Sequence, residues 1–116
     1  MAITLHGIPN CSTVKKARAW LEARGVDYSF RDYKKTPPTR TEIEGWLVHL
    51  TTEALVNRKG TTWRQLDEAQ REAAATRDGA IELMIAKPSV IKRPLVEGAA
   101  ECLLGFDEAA YARVFG

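Results

Sequence analysis

Gly7-Ile8-Pro9-Asn10-Cys11-Ser12-Thr13-Val14-Lys15-Lys16 is the stretch whose reading decides the fold. The short apolar run before it, residues 3–5, reads as a strand. After it, Val14, Ala17 and Leu21 recur at helical spacing, with Trp20 beside them. The stretch is therefore a strand-to-helix turn, with Gly7 and Pro9 in the turn and Cys11 at the mouth of the helix. Asn10, Ser12 and Thr13 are candidate caps for the backbone N–H groups left open there. A sulfur at that place meets unpaired amides and the positive end of the helix dipole, and Lys15 and Lys16 add positive charge. These conditions lower a cysteine pKa and make the thiolate a nucleophile. The alternative is an inert Cys packed as a small hydrophobe. Pro, Asn, Ser and Thr flanks fit that alternative poorly.

Outward from this turn, residues 1–6 form the first strand and residues 12–24 the helix, closed by Gly25. Residues 26–32 alternate, with Tyr28 and Phe30 on one face, and make a second strand. Strand, helix and strand form a βαβ unit with parallel strands. Lys34-Lys35-Thr36-Pro37-Pro38 then breaks the pattern, and an all-helical insertion follows at about 38–87. In it, Thr39 or Thr41 caps a helix carrying Ile43, Trp46, Leu47 and Leu50. Short turns at 51–56 and 62–66 are joined through Asn57-Arg58-Lys59-Gly60, and residues 69–76 make an exposed helix. Asp78 caps a helix with Ile81, Met84 and Ile85 that ends at Lys87-Pro88. Strands return at 94–96 and 101–106, joined by the hairpin Glu97-Gly98-Ala99-Ala100. Asp107 caps a last helix that turns Tyr111, Val114 and Phe115 inward. The expected class is α/β: a single thioredoxin-like domain over 1–116, βαβ–helices–ββα, with a mixed four-stranded sheet. Function has to be argued from the site rather than from the fold.

Composition bounds the function. The chain has 116 residues, 45% of them apolar and 28% charged, the makeup of one ordinary globular domain. A net charge of +2 without a basic block argues against direct nucleic-acid binding. No apolar run is long enough to span a bilayer, and no secretory signal precedes the first strand. Two distant cysteines make no disulfide framework, so a reducing cytoplasm is the expected compartment. His6 and His49 with those cysteines lack zinc-ligand spacing, and no metal is expected.

Three stretches carry a family resemblance: Gly7 through Ala17, Thr36-Pro37-Pro38-Thr39-Arg40, and Ile91-Lys92-Arg93-Pro94-Leu95-Val96. Together with the ending Gly105-Phe106-Asp107-Glu108, they resemble the glutaredoxin-type arsenate reductases and their Spx relatives, most closely the YffB-like branch. The resemblance runs over nearly the whole chain. It implies a catalytic Cys11, a cis peptide bond before Pro94, and Arg58 and Arg93 as two arginines that hold an oxyanion. Two positions depart from the pattern. The third anion-binding arginine of the arsenate reductases is missing around Gly105-Phe106-Asp107-Glu108. The second cysteine of the redox-sensing Spx proteins is Val14 here.

Cys11 thus has no partner thiol close in sequence, and Cys102, in the apolar run Cys102-Leu103-Leu104, reads as core. A lone nucleophilic thiolate needs an outside thiol to release its adduct. Glutathione is the expected co-substrate, with no bound cofactor, and its carboxylates suit Arg58, Arg93 and Lys92. Asn10, Ser12, Thr13, Arg58, Arg93 and Pro94 are the candidate substrate-binding residues. Thr13 bonds the thiolate or caps the helix. His6, at the end of the first strand, bonds to backbone or assists proton transfer. The expected function is a glutathione-dependent thiol reductase acting as a monomer on a mixed disulfide or small oxyanion, with glutaredoxin a candidate partner. True arsenate reduction and a non-catalytic Spx-like regulator stay open as alternatives.

Overall fold

Strand β1 (Thr4–Gly7) runs into helix α1 (Ser12–Ala23), which leads to strand β2 (Ser29–Asp32). Helix α1 ends where Gly25 takes a φ of 68°, left-handed backbone that glycine adopts without a Cβ clash. β1 and β2 pair in parallel, Thr4 opposite Ser29 and Gly7 opposite Asp32. Strand β3 (Leu95–Glu97) lies antiparallel on the other side of β1, with His6 opposite Leu95. Strand β4 (Leu103–Leu104) pairs antiparallel with β3, giving the mixed four-stranded order β2-β1-β3-β4. In this computed structural model, which describes residues 2–116, the sheet belongs to one compact unit of residues 2–35 and 93–116. The Arg93–Pro94 peptide bond is cis, as the resemblance implied.

Side chains alternate across the strands and give the sheet two different faces. Leu5, Val96 and Leu103 turn to one face. Val14, Ala17, Trp20 and Leu21 of α1 pack on them with Tyr111 of the last helix, α7 (Glu108–Phe115). Trp20 and Phe106 both meet the Tyr111 ring edge-on, at centroid distances of 5.6 and 4.9 Å. His6 turns to the other face, where it is 2% exposed. Its Nε2 lies 2.6 Å from Glu97 Oε1, and its ring stacks on Tyr33 at 6.0 Å. The expected partner of His6 was backbone, and the observed one is a carboxylate. Glu97 stands opposite Thr4 and therefore diagonally across from His6, within reach of a long side chain.

Residues 36–92 make the second compact unit. It holds α2 (Arg40–Trp46), α3 (Thr52–Leu55), α4 (Thr61–Arg64), α5 (Glu68–Ala73), α6 (Arg77–Ala86) and a 3-10 turn at Pro88–Val90. Its only extended pairing among the described residues is one bridge, Val56 to Ile91. Helix α6 is the hub, packed against α2, α3, α5 and the 3-10 turn through a side that buries Ala80, Ile81, Leu83 and Met84. Arg40 of α2 ties to Asp78 at 2.7 Å and Glu82 at 3.2 Å on α6.

Several boundaries differ from the sequence reading. Thr39 caps α2 in a reciprocal box with Glu42, but α2 stops at Trp46 instead of continuing through Leu50. Thr51 is needed as the N-cap of α3, where its hydroxyl accepts the Ala54 N–H, so the chain must turn first. Thr76, not Asp78, caps α6, and Asp78 sits inside the first turn, where its carboxylate pairs with Arg40. β2 begins at Ser29 rather than at residue 26, because it pairs only along the length of β1. β4 is two residues long, ended by the left-handed turn at Gly105, φ 79°. Of the expected first strand, Met1 lies outside the described residues.

Candidate active site

The turn between β1 and α1 is tight. A Cβ added to Gly7 would sit 2.8 Å from Val14 Cγ2, so only glycine lets the strand end come this close to the helix. Tyr33 N–H donates to Gly7 O at 2.9 Å and pins the same point from β2's end. Cys11 follows as the N-cap of α1 in extended conformation, φ −84° and ψ 125°. Its N–H donates to Ile8 O at 3.2 Å, and its carbonyl accepts the Lys15 N–H at 3.0 Å.

The sulfur is half-buried at the margin of the Leu5–Trp20–Tyr111 core. Burial pushes the thiol pKa up. The backbone amides of Val14 and Thr13 and the Arg93 guanidinium favour the thiolate and outweigh it, so the net shift is downward. No side chain forms a close cap bond at this helix end.

The candidate residues separate by role. Asn10 and Ser12 are exposed and Thr13 is half-buried; none of them caps α1 with its side chain. Thr13 meets the sulfur through its backbone amide rather than its hydroxyl. Lys15 and Lys16 are exposed, and neither is among the main causes of the shift. The positive charge at the sulfur comes from Arg93, half-buried beside the fully enclosed Pro94. Arg58 belongs to the helical unit, where it is exposed with its guanidinium 5.4 Å from the centre of the Trp63 ring. Lys92 is also in that unit, its N–H donating to Leu55 O at 2.7 Å.

Cys102 is a different kind of thiol. Leu103 turns to the core, and Cys102 before it lies by Glu97, on the side of the sheet that carries His6. Burial, with a smaller push from the Glu97 charge, raises its pKa to about 11. Among the described residues, no group of three His, Cys, Asp or Glu side chains is placed to hold a metal ion. No helix among them is long and apolar enough to cross a membrane.

Residues 6–114 match the ArsC family. The chain belongs to that family. A solved structure titled YFFB (PA3664) protein is 43% identical to this ArsC-family chain, covers 99% of it and 100% of its own length, and superposes with a TM-score of 0.93. An uncharacterized Haemophilus influenzae protein is 34% identical over 97% of this chain and 98% of its own. The global transcriptional regulator Spx of Streptococcus pyogenes serotype M6 is 29% identical over 91% of this chain and 79% of its own. The chain is thus an ArsC/Spx-family protein of the YffB-like branch, with the thioredoxin-like fold of that family.

Sequence reading had named Arg93 for an external anion and missed it as a partner of the Cys11 sulfur. It also missed the contacts behind Arg93. Pro94 O accepts the Gly105 N–H at 2.8 Å, and Gly105 O accepts the Tyr111 hydroxyl at 2.9 Å. Tyr111 had been placed in the core by its helical spacing. Nothing in a periodic pattern marks where the hydroxyl of a core tyrosine ends.

Proposed function

We propose that this ArsC-family protein is a glutathione-dependent thiol oxidoreductase using Cys11 as its single nucleophile. The observation that carries this reading is the ionisable Cys11, held by two helix amides and Arg93, while the second cysteine is kept protonated beside Glu97. In the reaction the Cys11 thiolate attacks one sulfur of a mixed disulfide. An S–S bond to Cys11 forms as the substrate S–S bond breaks, and the departing thiolate takes a proton from water. A glutathione thiolate then attacks the Cys11 adduct and releases Cys11 as a thiolate. When the sulfur attacked in the first step is the glutathione sulfur of a glutathionylated substrate, one free glutathione is consumed and leaves joined to the glutathionyl group from the substrate as glutathione disulfide. The groups that stabilise the resting thiolate also make Cys11 a good leaving group in the second step. Such chemistry suits a reducing compartment such as the cytoplasm.

Arsenate is the less favoured substrate. A doubly charged oxyanion needs several converging charged donors to offset its desolvation, and the segment around Phe106 and Asp107 brings a cap and an aromatic contact instead of an arginine. An Spx-type redox switch is disfavoured too. Val14, where those proteins carry their second cysteine, is 0% exposed in the core. The experiment is glutathione-coupled turnover of a mixed disulfide set beside arsenate turnover with glutathione and glutaredoxin, using Cys11→Ser as the blank. Mixed-disulfide turnover with a Cys11–glutathione adduct is expected. Efficient arsenate turnover with no such adduct would reverse the ranking. A reactive Cys11 without either activity would favour a binding role like that of the Spx regulators.

A further inference from the structure

We propose that Tyr111 is a positioning residue for the Cys11 site, acting through Gly105 and Pro94 on Arg93. The first two links are hydrogen bonds inside the sheet unit. The Tyr111 hydroxyl donates to Gly105 O at 2.9 Å in a buried setting. The Gly105 N–H donates to Pro94 O at 2.8 Å. Arg93, joined to Pro94 by the peptide bond, is the cation that lowers the Cys11 pKa.

The chain is built to transmit position. The Tyr111 ring is 1% exposed and fixed edge-on between Trp20 and Phe106, so its hydroxyl has little freedom. Gly105 is buried with φ 79°, a conformation that points its N–H and C=O to different partners and that a side chain would resist. Pro94 is itself enclosed and gives Arg93 a backbone with little slack. Without the Tyr111 hydroxyl, Gly105 O becomes a buried acceptor lacking that donor, and the segment shifts to find another. The pull of a guanidinium charge on a thiolate weakens with distance, so a small shift at Pro94 lessens it. The same residues that look like ordinary core packing for α7 thus set how the thiolate is held.

The inference rests on the reading of Cys11 as the nucleophile, but its readout is the thiol pKa and needs no substrate. Glutathione could fail as co-substrate while this result stands. The experiment measures the pH dependence of iodoacetamide alkylation at Cys11 in Tyr111→Phe, which removes only the hydroxyl, in the wild-type and Arg93→Ala backgrounds. An opposite charge favours the thiolate, so loosening of Arg93 should raise the Cys11 pKa and move the alkylation midpoint to higher pH. The same change in Arg93→Ala should move it no further. A Tyr111→Phe protein that is less stable but has an unchanged Cys11 pKa overturns the proposal, because the hydroxyl is then structural only. An equal rise in both backgrounds overturns it as well, because the effect then bypasses Arg93. If Tyr111→Phe does not fold, the unmodified chain still decides. The Gly105 amide proton should track the Cys11 titration by NMR, and that response should vanish in Arg93→Ala. A Gly105 resonance that stays flat through the titration, or one that still responds without Arg93, overturns the inference.

Discussion

Arg93, the residue before Pro94, is the cation that lowers the Cys11 pKa, so the start of β3 completes a site that begins at the end of β1. The pairing is possible because β3 lies next to β1, with Leu95 opposite His6. Two halves of the chain that are remote in sequence therefore supply one charged contact. A thiolate beside amides alone would still be favoured by the helix end, but the guanidinium adds a full charge.

Cys11 should alkylate with an apparent pKa below the free value of about 8.5. Arg93→Ala should raise it, because the charge that favours the thiolate is gone. The pH profile of iodoacetamide labelling, with Cys11→Ser as blank, measures both. The sign also predicts linkage. Because folding lowers this pKa, the Cys11 contribution to stability is present above the unfolded thiol's pKa and is lost as pH falls through the folded one. A profile midpoint at or above the free value would remove the nucleophile.

Cys102 should stay unreactive at neutral pH and label only on unfolding, since burial beside Glu97 holds its pKa at about 11 against an ordinary 9.0. The unfolded thiol ionises first as pH rises. Wild-type stability should therefore fall from about pH 9 to about pH 11, and Cys102→Ala should flatten part of that fall. Urea melts across that range test it, and an identical pH slope in the two proteins would count against the burial argument.

Gly7→Ala should destabilise the protein and disturb the site together. The added methyl meets Val14 Cγ2 at 2.8 Å, so strand and helix must part. Overpacking of this kind costs about 1–3 kcal/mol. The same displacement should carry the Thr13 and Val14 amides away from the sulfur and raise the Cys11 pKa. Thermal melts and the alkylation profile of one variant read both effects, and a stability loss without a pKa change would separate the turn from the thiol.

His6→Asn should cost stability and leave Cys11 alone. The contact from His6 to Glu97 is short and buried at one end, while the Glu97 side chain is 40% exposed. The expected loss is therefore at the lower end for a charged hydrogen bond, about 1.5 kcal/mol. His6 and Tyr33 face away from the core that borders Cys11, so the alkylation midpoint should not move. A clear change in Cys11 reactivity would return His6 to the proton-transfer role considered from sequence.

The sequence by itself determined the order of elements and the place of the nucleophile. Glycine and proline before a periodic apolar run leave little choice but a strand-to-helix turn at Cys11, and Thr39 with Glu42 marks a helix start that forms as written. These are local signals, set by backbone conformation and by spacing within one or two turns. Tertiary structure alone decided which cation serves the sulfur. Lys15 and Lys16 were near in sequence but remain in solvent, whereas Arg93 arrives through strand pairing. It decided the partner of His6 as well, because Glu97 comes within reach only across the β1–β3 register. It gave the hydroxyl of a core tyrosine a carbonyl acceptor at Gly105. Local patterns record which way a side chain faces. The atom it meets depends on register between distant strands, and no local pattern encodes that register.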